Sequence, residues 1–340
     1  MADLKGKRIL VTGGAGFLGS HIIDLLCSEG CIEIVALDNM TRGHQENLQR
    51  ASTRGPIRLV EGDVRDVGLM DSLVRSADII FHMAAPSMAQ CAAEPRLAME
   101  VMSQATFNLL ELCVRHHVEK LVVASSASVY GLADEFPTTE RHNSYNNRTL
   151  FGAAKAFNEG LCRAFADMYG LDYVAFRYFN VFGERMDVQD RYTKVLIRWM
   201  DRIDSGLPPI IFGDGGQTMD LVHVRDVARA NILGAKAKAT DEVFNVASGT
   251  ETSLLQLARA LASVMGRRDL APAFAPERSL NPTPRCLAST GKAERLLGFR
   301  AAIPLEKGLG ELVKWWRSER ALGLAASRDP AAAEPAAERI

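Results

Sequence analysis

The run VTGGAGFLGSH, residues 11–21, constrains this chain more than any other stretch. It sets Gly13, Gly16 and Gly19 between an apolar, β-branched run, RILVTG, and an amphipathic segment, GSHIIDLLCSEG. Glycine allows the tight turn and lets backbone approach a pyrophosphate, which then rests on the helix N-terminus. A strand before the glycines and a helix after them give the pattern its meaning. The reading is a first strand–helix unit of a dinucleotide-binding sheet, with Phe17 and Leu18 opening the helix beside the phosphates. The next strand, EIVALDN, ends in Asp38 and Asn39, about 20 residues on, where an acid bonds the adenosine ribose hydroxyls. That acid repels a 2′-phosphate, so the dinucleotide is expected to be NAD; Arg42 is the nearby group that could tolerate NADP.

Strand-like and helical runs keep alternating downstream: IRLVEGDV, VGLMDSLVRSA, DIIFHMAA, LAMEVMSQATFNLLELCVRHH, KLVVASSAS, a helix from about Gly152 to Met168, and DYVAFRYFNV. Alternation with fully apolar strands predicts an α/β fold, a Rossmann-type doubly wound parallel sheet covered on both faces. After Asn180 the pattern breaks up. SGLPPIIFGDGGQT and APERSLNPTPR are turn-rich and read as loops of a smaller mixed α/β lobe. The expected division is an NAD-binding domain over residues 1–180 and a substrate lobe over 181–320. Within the lobe, about 221–248 returns to the first domain, with LVHVRDVARANILGAKA read as helical; residues 325–340, AASRDPAAAEPAAERI, read as a disordered tail.

Composition narrows the partners. A net charge of −1 gives no basis for a nucleic-acid or membrane-surface partner. No apolar run reaches the roughly 20 residues that span a bilayer. The six cysteines form no CxxC pair and the seven histidines show no ligand spacing, so no metal site is expected and reduced thiols in a cytoplasmic protein are. Two more segments fit the dinucleotide: Asp63 and Val64 in GDVRD, at the end of the third strand, and Ala84 and Ala85 in HMAA, at the end of the fourth.

These motifs, with SSASVYG, RYFNVFG and GDGGQTMDLVHVRDVARA, resemble the extended short-chain dehydrogenase/reductase family, in its branch of UDP-glucose 4-epimerase and related nucleotide-sugar epimerases. The resemblance covers roughly residues 6–318. It implies a UDP-sugar substrate, a bound and recycled NAD, and oxidation of the sugar at C4 to a ketone that is reduced from its other face. It implies a tyrosine acid/base tuned by a lysine. The lysine is Lys155, which would also bond the nicotinamide ribose, and Ser125 falls beside the cofactor. Ser126 would orient the sugar, with Ser128 near it. Asn180, Arg185 and Arg285 fall on the diphosphate side. Met219 stands where the family often has a diphosphate-binding arginine, and Met102 where an asparagine is usual. Related dehydratases carry Asp-Glu at the positions of Ala127 and Ser128, and related decarboxylases a glutamate at the second. Neither acid is present, which leaves epimerisation. In this family helices such as those near 97–117 and 152–169 pair across a homodimer, so a homodimer is expected.

The stretch TLFGAAK, residues 149–155, breaks the pattern: Phe151 stands where the family's tyrosine should be. Four residues before Lys155 on a helix, it shares that lysine's face. A phenyl ring carries no proton, so the relay, worth on the order of 10²–10⁴ in rate, is missing. Three explanations fit: a Tyr→Phe change introduced to trap a ligand, a natural enzyme using Ser126, Tyr130, Tyr145 or a water instead, or a binder of nucleotide sugars without catalysis. For the sugar's C6 substituent, a basic residue such as Arg185 or Arg191 would suggest a carboxylate.

Overall fold

A computed structural model describes residues 3–144, 146–188, 195–276 and 284–321. Tyr145, Arg191 and the tail at 325–340 lie outside the described residues. Twelve strands run, in chain order, β1 Arg8–Thr12, β2 Glu33–Asp38, β3 Ile57–Glu61, β4 Ile79–His82, β5 Lys120–Ser126, β6 Tyr173–Tyr178, β7 Asn180–Phe182, β8 Ile210–Phe212, β9 Thr218–His223, β10 Glu242–Val246, β11 Glu251–Ser253 and β12 Ala273–Ala275. The main sheet has seven strands, all parallel, in the order β10-β6-β5-β4-β1-β2-β3. The predicted doubly wound parallel sheet is therefore the fold the chain adopts.

Period-2 alternation in fully apolar strands builds two cores. Ile9 and Val11 of β1 face one side, with Ile22, Ile23, Phe176 and Phe244. Leu10 faces the other, with Val35, Leu73, Leu109, Cys162 and Phe165. Both faces are covered, as a parallel sheet requires. The strand order reverses between β1 and β4, and ligands of such sheets bind outside the strand ends at that switch.

A third core sits in the lobe, where Leu196, Trp199, Leu257, Leu261, Leu312 and Trp316 pack together from the helices Val195–Asp204, Leu254–Val264 and Leu305–Ala321. Strand β10 pairs with β6, and the helix Val224–Lys236 packs on the helix Phe17–Leu26. Three local readings need correction. Ile210–Phe212, read as loop, is a strand that pairs in parallel with β12. Leu221–His223, read as helical, ends β9; His223 accepts from the Arg225 N–H and caps the helix that starts at Val224. The pattern read as one long helix near 97–117 is interrupted by a π-helical turn at Glu100–Gln104.

Candidate active site

The glycine turn closes against the switch point. Gly13 has φ +66°, and a Cβ there would lie 2.9 Å from the Ala84 backbone nitrogen. A Cβ on Gly19 would stand 2.2 Å from the Gly13 carbonyl oxygen, so the helix Phe17–Leu26 approaches the turn only because residue 19 has no side chain. Gly14, not singled out from the sequence, has the same constraint against Ala36 at 2.8 Å. Gly16 is the N-cap and no side chain caps the helix, which leaves its positive end to an anion. Phe17 turns its ring onto the lobe core and edge-on to His21.

Asp38 ends β2 with its carboxylate buried, accepting from the N–H groups of Ala15 and Met40 at 3.0 Å each. Burial pushes its carboxyl up, and those N–H groups oppose the push. Gly43 lies so close that a Cβ there would be 2.6 Å from the carboxylate. Asn39 donates to Asp63 at 3.1 Å, and Arg65 grips Asp63 with two bonds of 3.0 Å, drawing its carboxyl down to about 2. Val64 is buried beside them. Arg42, the group that could have favoured NADP, is turned to Asp187 at 3.4 Å. The Ala84 N–H donates to Thr12 Oγ1 at 3.2 Å, fixing the end of β4 against β1, and Ala85 follows half-buried. Close-packed glycines, an uncapped helix start and a buried acid at the second strand end fit a dinucleotide.

The relay position lies next to this cradle. Thr149 caps the helix Leu150–Tyr169, which carries Phe151 and Lys155 one turn apart. Lys155 is 6% exposed; its Nζ donates to the Ala124 carbonyl at 2.7 Å and lies 5.8 Å from the Phe151 ring centroid. Burial lowers its amine to about 8. Phe151 packs on an apolar group of Cys91, Ala98, Met102 and Ala154. Two of the three departures from the family pattern, Phe151 and Met102, therefore share one cluster. Ser126 Oγ and Ser128 Oγ are 3.0 Å apart, and Ser126 accepts from the Ser128 N–H, capping the short helix Ala127–Tyr130. Ser125 gives its hydroxyl proton to Glu159, itself paired with buried Arg177. Tyr130 is engaged: its hydroxyl donates to Asn245 at 2.6 Å, Arg177 lies over its ring, and burial pushes its phenol up to about 12.

On the lobe side, Asn180 donates to Cys286 Sγ at 3.6 Å. Arg285 pairs with Glu251 through bonds of 2.7 and 2.9 Å and stacks over Phe136 at 4.7 Å. Met219 lies on β9 opposite Thr252 and packs on the lobe core. Arg185 is not brought to this group. It pairs with Asp24 of the helix Phe17–Leu26 at 2.8 Å, both side chains nearly buried, and neighbouring Glu184 accepts from His21 through its carbonyl.

The description NAD dependent epimerase/dehydratase family matches residues 9–247. The chain belongs to that family. Its cofactor is NAD, and the chain is a nucleotide-sugar epimerase scaffold. The UDP-glucose 4-epimerase of Mycolicibacterium smegmatis is 32% identical over 315 residues, which span 92% of this chain and 99% of that one. A solved structure of UDP-N-acetylglucosamine 4-epimerase from Methanobrevibacter ruminantium M1, in complex with UDP-N-acetylmuramic acid, superposes with a TM-score of 0.86 at 32% identity, covering 94% of this chain and 100% of the other. UDP-glucuronic acid decarboxylase 1 of Xenopus tropicalis is 29% identical over 324 residues, 94% of this chain and 74% of that one. Overall identity barely separates these chemistries, so the side chains at the relay carry the distinction.

Three elements of this epimerase-family site were missed from the sequence. One is a buried polar chain: Thr12 Oγ1 meets His82 Nδ1 at 2.8 Å, and His82 Nε2 meets Thr106 Oγ1 at 3.1 Å. Thr106 and Asn158 both donate to the carbonyl of Met102 in the π-helical turn. A second is the Glu159–Arg177 pair behind Ser125. The third is Asp220, fully buried, which accepts from the N–H groups of Ser248, Gly249 and Ala288 and ties the lobe loops to β9. Each is a polar residue whose partner is distant in sequence, so no local spacing announces it.

Proposed function

We propose that this chain interconverts UDP-sugars at C4 through a 4-keto intermediate, with a proton relay weakened by Phe151. The observation that carries the reading is Phe151 one helical turn from buried Lys155, beside the dinucleotide cradle, with no acid at Ala127 or Ser128. When bound, NAD supplies the hydride acceptor and donor. The chain's own groups do the rest. Gly13, Gly16 and Gly19 with the helix start hold the pyrophosphate, Asp38 the adenosine ribose, and Asp63 with Val64 the adenine end. Ser126 and Ser128 orient the sugar hydroxyl, while Asn180 and Arg285 bind the diphosphate side, with Met219 lining it.

Phe151 and Met102 lie in one apolar cluster. Two replacements in one cluster favour a natural adaptation over a single introduced change. They also favour, as a second reading, a binder of nucleotide sugars. We further propose a cytoplasmic homodimer. Ala153, Phe157, Gly160, Leu161, Ala164 and Met168 recur at helical spacing along Leu150–Tyr169, and Phe157 and Met168 are 53% and 66% exposed. Phe107, on the adjacent helix, is 37% exposed. Among the described residues, no helix is long and apolar enough to cross a membrane. The test is product analysis: purified protein incubated with UDP-glucose, UDP-N-acetylglucosamine or UDP-glucuronate, and C4 configuration read by proton NMR. Tight binding of a UDP-sugar with no C4 exchange over days would favour the binder.

A further inference from the structure

With Phe151 silent, the remaining hydroxyls of the site are aliphatic or already donate. Tyr130 donates to Asn245, Ser125 to Glu159 and Ser126 to Ser128, and a serine hydroxyl is far too weak an acid or base to carry the proton alone. Lys155 differs. Its Nζ lies on the same helix face as Phe151, and the described residues offer that nitrogen one hydrogen-bond acceptor, the Ala124 carbonyl. An ammonium has three N–H donors and no lone pair, whereas a neutral amine that donates to Ala124 keeps its lone pair.

Burial disfavours the amine's charge, against the pull of the groups that face it. Cys91 from the helix Met88–Ala93, His82 from β4, and Cys162 and Glu159 from its own helix are the titratable neighbours. Burial holds His82 neutral to about 3 and pushes the Cys162 thiol up to about 12, with the Cys91 thiol also raised. Glu159 is the one anion, and both its oxygens are bonded to Arg177. Its field can still support a transient ammonium.

We propose that Lys155 is itself the proton carrier of this chain: its neutral amine takes the proton of the sugar hydroxyl, directly or across one water, and returns it when the carbonyl is reduced. This rests on the epimerase reading above. In the forward transfer an O–H bond breaks, an N–H bond forms and the positive charge appears on Lys155; the reverse transfer restores the amine. The two electrons and the carbon-bound hydrogen go to the hydride chemistry that the family's cofactor supplies. A base must lie within hydrogen-bond reach of its proton, or one water away, and works best with a pKa near the operating pH. In this role Lys155 carries the proton itself and does not act only by tuning a phenol.

Two experiments test this. In the unmodified protein without substrate, cyanate labels neutral amines, and peptide mass spectrometry reads Lys155 carbamylation against pH. The expected labelling is half-maximal near pH 8, while surface lysines still climb toward about 10. The second uses Lys155→Ala and Lys155→Arg, checked for folding by circular dichroism and for NAD retention. Lys155→Arg should lose at least about 100-fold in turnover, because guanidinium keeps its proton. Lys155→Ala should be rescued by added primary amines, the more so the more basic the amine. Lys155→Arg within tenfold of the parent, rescue independent of amine basicity, or labelling that tracks surface lysines would each overturn the proposal; so would absence of both labelling and rescue. If labelling is half-maximal near pH 8 but no UDP-sugar is turned over, the epimerase reading fails and the neutral amine stands. If turnover is found and Lys155→Arg keeps it, only the proton-carrier role fails.

Discussion

Removing the Asp24–Arg185 pair separates a structural arginine from a substrate-binding one. The pair joins the first helix to the segment after β7, at side-chain exposures of 12% and 13%. Breaking a buried pair by deleting one partner costs about 3–5 kcal/mol, since the remaining charge is stranded. Asp24 Oδ1 and Arg185 Nη1 have no hydrogen-bond partner, so the contact is one-armed and the lower end applies. Asp24→Ala should therefore cost about 3 kcal/mol, roughly 4 °C in Tm for a chain of this size. Arg185 also sits at φ +63°, a conformation that costs an L-residue about 1 kcal/mol and glycine almost nothing. Arg185→Gly should thus be milder than Asp24→Ala by about 1 kcal/mol. Differential scanning fluorimetry gives the order, and calorimetric titration with UDP gives the affinity. Both variants should bind UDP within about twofold of the parent. A tenfold loss of UDP affinity in Arg185→Gly with an unchanged Tm would refute the reasoning and return Arg185 to the substrate.

Other outcomes follow from the same geometry. Phe151→Tyr should raise UDP-sugar turnover by on the order of 10²-fold or more, and adding Lys155→Met should abolish the gain; initial rates check both. Denaturing the purified protein should release stoichiometric NAD, and Asp38→Ser should narrow the preference for NAD over NADP in fluorescence titrations; equal affinity in the parent would count against the ribose assignment. Burial holds His21 and His82 down to about 3, so below about pH 6.5 the unfolded chain binds protons that the native chain refuses. Stability should then fall with pH by up to about 1.4 kcal/mol per unit for each histidine between about 6.5 and 5, and a flat urea-unfolding profile there would contradict it. Phe157→Glu should turn the expected homodimer into a monomer in light scattering, with NAD content unchanged.

The sheet was legible because its inner strands are apolar on both faces and each glycine of the turn answers a packing distance. Gly19 could be read from spacing, since its reason, the Gly13 carbonyl, is six residues away. The lobe was not legible in the same way. Ile210–Phe212 is flanked by Pro208, Pro209 and Gly213, and its partner β12 begins at Ala273, so local turn signals outweighed a pairing distant in sequence. At the site, Lys155 and Phe151 are bound by helix geometry and came together as read. That Tyr130 bonds Asn245 and Arg185 pairs with Asp24 could not be read, because those partners are set by tertiary packing. Asp38 was legible as an acid at a strand end, but the backbone N–H groups it accepts belong to loops that no spacing describes.

The π-helical turn at Glu100–Gln104 makes chain length itself part of the site. Each residue advances an α-helix by about 100°, and a π-turn takes up one residue more than the α-turn it replaces. The turn lets Ala98 and Met102 face Ala154 while Leu109, Leu112 and Cys113, beyond it, face the sheet. Deleting a single residue between 100 and 104 would let the segment close as a plain α-turn, with Ala98 on one side and Leu109, Leu112 and Cys113 on the other still in register. What would change is the bulge itself, where the Met102 carbonyl accepts from Thr106 and Asn158. A family member one residue shorter here keeps its apolar stripes, so an alignment gap in this segment marks a different relay wall and not a trimmed loop.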